Sequence, residues 1–253
     1  MSLNWEKYGI DISKQRGGKM LCPNCSQQRK HKNDLCLSVD LESGMYNCHN
    51  NCGFKGMAAD LKPKKEYIKP IARLEKLSPK TIAWFENDRK ISNNTLLRLG
   101  VTEAIEWMPQ PNKEMTCICF NYYRDEQLVN IKFRDAAKGF KMAGGSELIF
   151  YNLDAIKGEN SCVIVEGEID CLSFHECGIY NVVSVPNGAS KGNQKLEYLD
   201  NCWKYFEGME KIILAVDGDE AGTSLKNELS RRLGKEKCFT VEYPEGCKDT
   251  NET

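Results

Sequence analysis

The chain has 253 residues, 41% of them hydrophobic and 28% charged, with a formal net charge of −1. No apolar run approaches the roughly 18 residues that a membrane-spanning helix needs, so no membrane partner is expected. The near-neutral total hides a split, because residues 1–158 carry +7 and residues 159–253 carry −8. A basic half beside an acidic half suits one part that holds polyanions and another that holds cations, although two solvated surfaces of different composition would give the same numbers. No basic stretch followed by an apolar one opens the chain, which makes the cytoplasm the default location. Without a secretion signal, the thirteen cysteines point to reduced thiols and metal ligands rather than disulfides.

The first predicted element, residues 1–60, is a zinc ribbon. Cys22-Pro-Asn-Cys25 and Cys48-His-Asn-Asn-Cys52 flank the strand-like run Leu35-Cys36-Leu37-Ser38-Val39, a layout that lets two tight turns present four thiolates to one tetrahedral Zn²⁺. Cys22, Cys25, Cys48 and Cys52 are the expected ligands. The second pair has three intervening residues instead of two, and His49 is the alternative to Cys48. Cys36 and His31 read as strand and surface residues. The cysteines could instead be buried small hydrophobes, but aliphatic residues are sparse between Lys19 and Lys62, and a structural zinc supplies ~10–16 kcal/mol of apparent binding free energy. Four thiolates leave no open coordination position, so this module is expected to recognise rather than to catalyse.

Residues 61–72, LKPKKEYIKPIA, have the proline and lysine content of a semi-rigid linker. Residues 73–159 follow as a basic α+β subdomain. Ser78-Pro79 and Ser92 open two helices, the second closing at Gly100. Residues 116–135 alternate like a β-hairpin around Arg124-Asp125-Glu126-Gln127, with Cys117 and Cys119 as core residues on one strand face. Lys132, Arg134, Lys138 and Lys141 then recur beside Phe133 and Phe140. Such a surface can grip phosphates, and a merely solvated face carrying Lys132 and Arg134 is equally compatible with the alternation.

From residue 160 to 253, apolar strands (CVIVE, NVVSVP, KIILAVD, CFTVEY) alternate with helix-length segments. That is a parallel sheet covered on both faces, whose ligands gather at the strands' C-terminal ends. There stand Glu166, then Asp217 and Asp219, and, beyond the last strand, Asp249. Carboxylates ~4 Å apart repel by roughly 4 kcal/mol at a surface-like dielectric, so their assembly calls for a cation. Mg²⁺, with Mn²⁺ as a substitute, leaves positions open for triphosphate oxygens. Asp170 and Asp219 also suit a helix N-terminus.

The segments VEGEID, VPNGA, AVDGDEAG and CKDTNE resemble the successive motifs of the TOPRIM fold of phage-type and Twinkle-like primase-helicases. The resemblance covers nearly the whole chain, with the cysteine pairs similar to the family's zinc ribbon and NIKFR…KGFKMAGG similar to its basic subdomain. It implies an α/β primase: a small β zinc ribbon, then a catalytic domain with a basic α+β subdomain and a parallel-sheet TOPRIM subdomain. It also implies Glu166 as catalytic acid, Asp217 and Asp219 as the metal-binding pair, Asp249 as a third metal-associated acid, and Lys132, Arg134 and Lys141 as nucleotide and template contacts. The expected activity is synthesis of short RNA primers from NTPs on a single-stranded DNA template. A binding module without priming activity, and a TOPRIM nuclease or topoisomerase, are the competing readings. The chain contains no G-x-x-x-x-G-K-[ST] loop, so motor activity is expected from a replicative ring helicase joined in cis in a longer protein.

Overall fold

The computed structural model describes residues 3–41, 44–58, 65–189, 196–244 and 251. The chain divides into two compact units, residues 1–66 and 67–253. In the first, strands β1 (Lys19–Met20), β2 (Leu37–Val39), β3 (Met45–Cys48) and β4 (Lys55–Met57) form an antiparallel sheet in that order. Gly56 lies opposite Tyr46, and a Cβ there would come 2.7 Å from the Tyr46 hydroxyl. Its absence lets the Tyr46 ring lie across the ladder and pack on Phe54 with centroids 5.0 Å apart. Trp5, Ile10, Met20, Leu37 and Val39 complete a small core that also buries Cys22, Cys25 and Cys48.

The second unit begins with two helices, α1 (Pro79–Asp88) and α2 (Asn93–Arg98). Ser78 and Ser92 cap them as expected, their hydroxyls accepting from Thr81 N at 3.3 Å and Thr95 N at 3.4 Å. A meander follows, β5 (Thr102–Met108), β6 (Lys113–Arg124), β7 (Gln127–Asp135) and β8 (Phe140–Met142). Its central turn is the expected hairpin: Asp125 and Glu126 both have positive φ, 50° and 61°, the signature of a type I′ turn. Asp154 fixes it by accepting from both of their backbone N–H groups.

One face of this sheet sends Ile118, Phe120 and Tyr122 into the main core, while the other buries Cys117, Cys119, Ile131 and Phe133. Lys132 and Arg134 do share a face, in register with Phe120 and Ile118, but that face is covered and both residues are buried. The solvated-face alternative is thereby overturned; alternation tells which side a residue takes, not what lies over it. The expected linker also changes. Residues 61–64 lie outside the described residues, whereas Ile68 exchanges hydrogen bonds with Gly145 and Ser146, placing 67–72 within the second unit.

The last sheet contains β9 (Ser161–Val165), β10 (Val182–Ser184), β11 (Lys211–Ala215) and β12 (Cys238–Thr240), all parallel, in the order β10-β9-β11-β12. Helices α3 (Glu168–Glu176), α4 (Glu197–Cys202) and α5 (Glu220–Leu233) alternate with these strands. In α5, Leu225, Leu229 and Leu233 recur every four residues and are buried, each worth about 1.5–3 kcal/mol. Residues 73–159 and 160–253 share one hydrophobic core, in which Phe85 and Phe120 belong to the same cluster as Ile164 and Leu214. Among the described residues no helix is long and apolar enough to cross a membrane.

Candidate metal centre and catalytic cavity

The β1–β4 sheet brings together the four cysteines singled out by their spacing. All four Sγ atoms lie within 4.8 Å of one another, with Cys22 to Cys52 and Cys25 to Cys48 both at 3.7 Å. A tetrahedron with Zn–S bonds near 2.3 Å has edges of about 3.8 Å, so the donor set fits Zn²⁺. The longer second turn is accommodated by left-handed backbone at Asn51 (φ 50°) and Gly53 (φ 77°), while His49 Nε2 contacts Ser38 Oγ instead of the thiols. The Phe54 backbone N–H holds the Cys52 thiol down to about 6, whereas burial pushes Cys25 and Cys48 up. Such a mixture is expected of crowded thiols that need a cation to ionise together. Cys36, read from the sequence as a strand residue, is a fifth thiol 3.6 Å from Cys48 Sγ.

In the second unit the parallel register sets Ala215 beside Val165, so the residues that follow, Glu166 and Asp217, leave adjacent strands at one end of the sheet. Both line a cavity of about 520 Å³ together with Lys132, Lys141, Glu168 and Asn187. Glu166 Oε1 accepts from Ala189 N at 2.9 Å, while Oε2 is buried with no hydrogen-bond partner. Burial raises the Glu166 pKa, opposed by the Ala189 and Asp217 backbone N–H groups and reinforced by the charge of Asp219. A buried carboxylate oxygen without a donor fits a cation ligand. Gly222 allows α5 to start against this strand end, since a Cβ there would stand 2.2 Å from Asp217 O.

The remaining acids are placed differently. Asp219 caps α5, its Oδ1 accepting from Gly222 N at 2.8 Å, and Asp249 lies outside the described residues. Among the described residues only the cysteines converge within 4.8 Å. Mg²⁺ does not need a tighter acidic cage, because it commonly takes one or two carboxylates and completes its shell with water and phosphate oxygens.

The three basic residues separate. Lys132 Nζ donates to both Glu168 oxygens, at 2.9 and 3.0 Å, and Tyr122 Oη donates to Glu168 Oε1. Lys141 Nζ donates to Trp107 O at 2.7 Å and pairs with Glu106 at 3.2 Å. Arg134 does not line this cavity but lies over the Trp84 ring, 5.0 Å from its centroid, beside a second cavity. Sequence reasoning missed the Tyr122–Glu168–Lys132 network. Glu168 sits inside the VEGEID segment, but its partners are 46 and 36 residues away, and no local pattern marks them.

A model of the Toprim-like family matches residues 163–253. The chain is 33% identical to the primase homolog protein of Arabidopsis thaliana, an alignment spanning 92% of this chain and 75% of that one. It is 32% identical to the Twinkle homolog protein of Arabidopsis thaliana, a chloroplastic and mitochondrial protein, across 97% of this chain but only 38% of the longer relative. The crystal structure of the primase fragment of the bacteriophage T7 primase-helicase superposes with a TM-score of 0.56 at 24% identity, covering 92% of each chain. Identity of this extent runs through both the thiol module and the sheet that carries the acids, and the chain therefore belongs to the family of phage-type and Twinkle-like primase-helicases, of which it carries the primase part.

Proposed function

We propose that this chain is a DNA primase, joining ribonucleotides into short RNA primers on single-stranded DNA. The observation that carries the reading is the orphaned Oε2 of Glu166 in the cavity it shares with Asp217, Lys132 and Lys141. Held by Glu166 and Asp217, with Asp219 and Asp249 as further acids, Mg²⁺ would neutralise the NTP phosphates and ease ionisation of the attacking 3′-hydroxyl. Lys132, fixed by Glu168, presents its ammonium toward the same space as a contact for phosphate oxygens. Lys141 borders the same cavity from the neighbouring strand, but its ammonium is held by Glu106 and Trp107 O on the opposite face of the sheet. Glu166, with one oxygen held by Ala189 N and the other without a donor, is placed to hold that Mg²⁺ beside the reacting phosphate. In the first unit, Cys22, Cys25, Cys48 and Cys52 would hold a structural Zn²⁺, and the sheet they brace would read the template. A ring helicase is the natural partner, since the bacteriophage T7 fragment it superposes on comes from a primase-helicase.

One observation favours a second reading, a single-stranded-DNA-binding module without priming activity: Asp219 spends one oxygen as a helix cap. Incubation with Mg²⁺, labelled NTPs and single-stranded DNA decides between them. Radiolabelled oligoribonucleotides support the primase, and strand binding without product supports the module.

A further inference from the structure

The first unit holds five cysteines, one more than a tetrahedral Zn²⁺ takes. Cys36 is the fifth. It stands just ahead of β2 and falls outside the group whose Sγ atoms all lie within 4.8 Å of one another. Yet it touches one member of that group, its Sγ standing 3.6 Å from Cys48 Sγ. The backbone keeps the two residues together, since Leu37 pairs with Cys48 across the β2–β3 ladder and His49 N donates to Cys36 O at 2.8 Å. Cys48 is buried, whereas Cys36 is partly exposed. A thiol within reach of solvent therefore rests against a buried one that belongs to the zinc donor set, close enough for side-chain rotation to bring the sulfurs to the ~2.05 Å of a disulfide.

We propose that Cys36 makes this centre an oxidant-sensitive switch, in which a peroxide joins Cys36 to Cys48 as a disulfide and the zinc is released. The Cys36 thiol attacks the peroxide; an S–O bond forms as the O–O bond breaks, one water leaves, and Cys36 becomes a sulfenic acid. The Cys48 thiolate then attacks that sulfur. The S–S bond forms, the S–O bond breaks, and the departing hydroxide takes up a proton to leave as a second water. Over the two steps each sulfur gives up one electron and the peroxide takes both. The donor set is left with three thiolates, and the small core around them loses the metal that stabilises it. A thiol reductant reopens the disulfide, so the module recovers when Zn²⁺ is supplied again. The switch itself stands on the thiol geometry, while its consequence, that oxidation silences template reading, rests on the primase reading.

The full chain loaded with zinc and treated with hydrogen peroxide tests this, with metal release followed by a chromogenic chelator and disulfides mapped in non-reduced peptides. The expected link is Cys36 to Cys48, and dithiothreitol with Zn²⁺ should restore the metal. Cys36→Ser should still bind one zinc but release it on the order of tenfold more slowly at the same peroxide concentration, because the buried ligands are then oxidised only directly. Cys36→Ala repeats the measurement without a hydroxyl in place of the thiol. Release from both variants at the unaltered rate overturns the proposal, as does a disulfide confined to Cys22–Cys25 or Cys48–Cys52. If both variants bind no zinc, Cys36 is a ligand and the proposal also fails. Zinc and disulfide are read without RNA synthesis. A chain that cycles its zinc through Cys36 but makes no RNA sinks the primase reading and leaves the switch standing, whereas RNA synthesis with release indifferent to Cys36 does the reverse.

Discussion

Glu168 illustrates how a buried charge acts through its neighbours. Its carboxylate accepts two hydrogen bonds from Lys132 and one from Tyr122 in a nearly solvent-free setting. Deleting it strands a buried ammonium. Glu168→Ala should therefore lose about 3–5 kcal/mol in urea unfolding, while the double variant Lys132→Met with Glu168→Leu should recover much of that loss, because apolar residues of similar volume need no partner. A double variant as unstable as the single one would show that the charge pair itself is required. Glu166 has the opposite problem, since burial lifts its pKa above 4.5 and leaves one oxygen unsatisfied. Above pH 4.5 the unfolded chain releases a proton that the native state retains. The stability contributed by this group is thus full below that pH and is lost as pH rises through the folded pKa. In metal-free protein, Glu166→Gln should raise the thermal midpoint at pH 7 and leave it nearly unchanged at pH 4. A lower midpoint at pH 7 would mean that the ionised carboxylate is stabilised by donors instead.

At the scale of elements, the cysteine module depends on metal more than any other part, because its core is a few side chains around four thiols. Elemental analysis should find one zinc per chain. Chelation or Cys25→Ser should expose residues 20–56 to protease, and His49→Ala should keep the metal, since its ring faces Ser38; metal loss in His49→Ala would transfer the fourth ligand from Cys48. The thiol pairs were legible because zinc imposes short spacings along the chain. β9 and β11 were legible for a similar reason, as a parallel strand covered on both faces reads apolar at consecutive positions. The β6–β7 hairpin was marked by its polar turn. What stayed hidden depends on what packs over an element: the cover on the Lys132–Arg134 face, the anchoring of residues 67–72, and the encounter of Trp84 with Arg89 and Arg134. A tether and a docked extended segment have the same composition, and only contacts such as those of Ile68 with Gly145 and Ser146 separate them.

Across the whole molecule the charge split acquires a meaning. The basic residues of the excess-positive stretch, 1–158, include those that border both cavities of the second unit, while the acids at the strand ends belong to the excess-negative stretch. Strand binding and nucleotide joining should then respond to different substitutions. Asp217 stands at a strand end, in a cavity with Glu166, and contributes negative charge that can only oppose a polyanion. Asp217→Ala should abolish Mg²⁺-dependent primer synthesis while leaving affinity for a fluorescein-labelled single-stranded oligodeoxythymidylate within a few fold. Raising Mg²⁺ should restore little, because the missing ligand also orients the site. The measurement pairs oligoribonucleotide yield with anisotropy on the same preparation, and with a thermal unfolding curve to exclude collapse of α5 onto the altered strand end. Equal loss of binding and synthesis in a folded variant would mean that the template itself leans on this acid, and the separation of strand binding from nucleotide joining would fail.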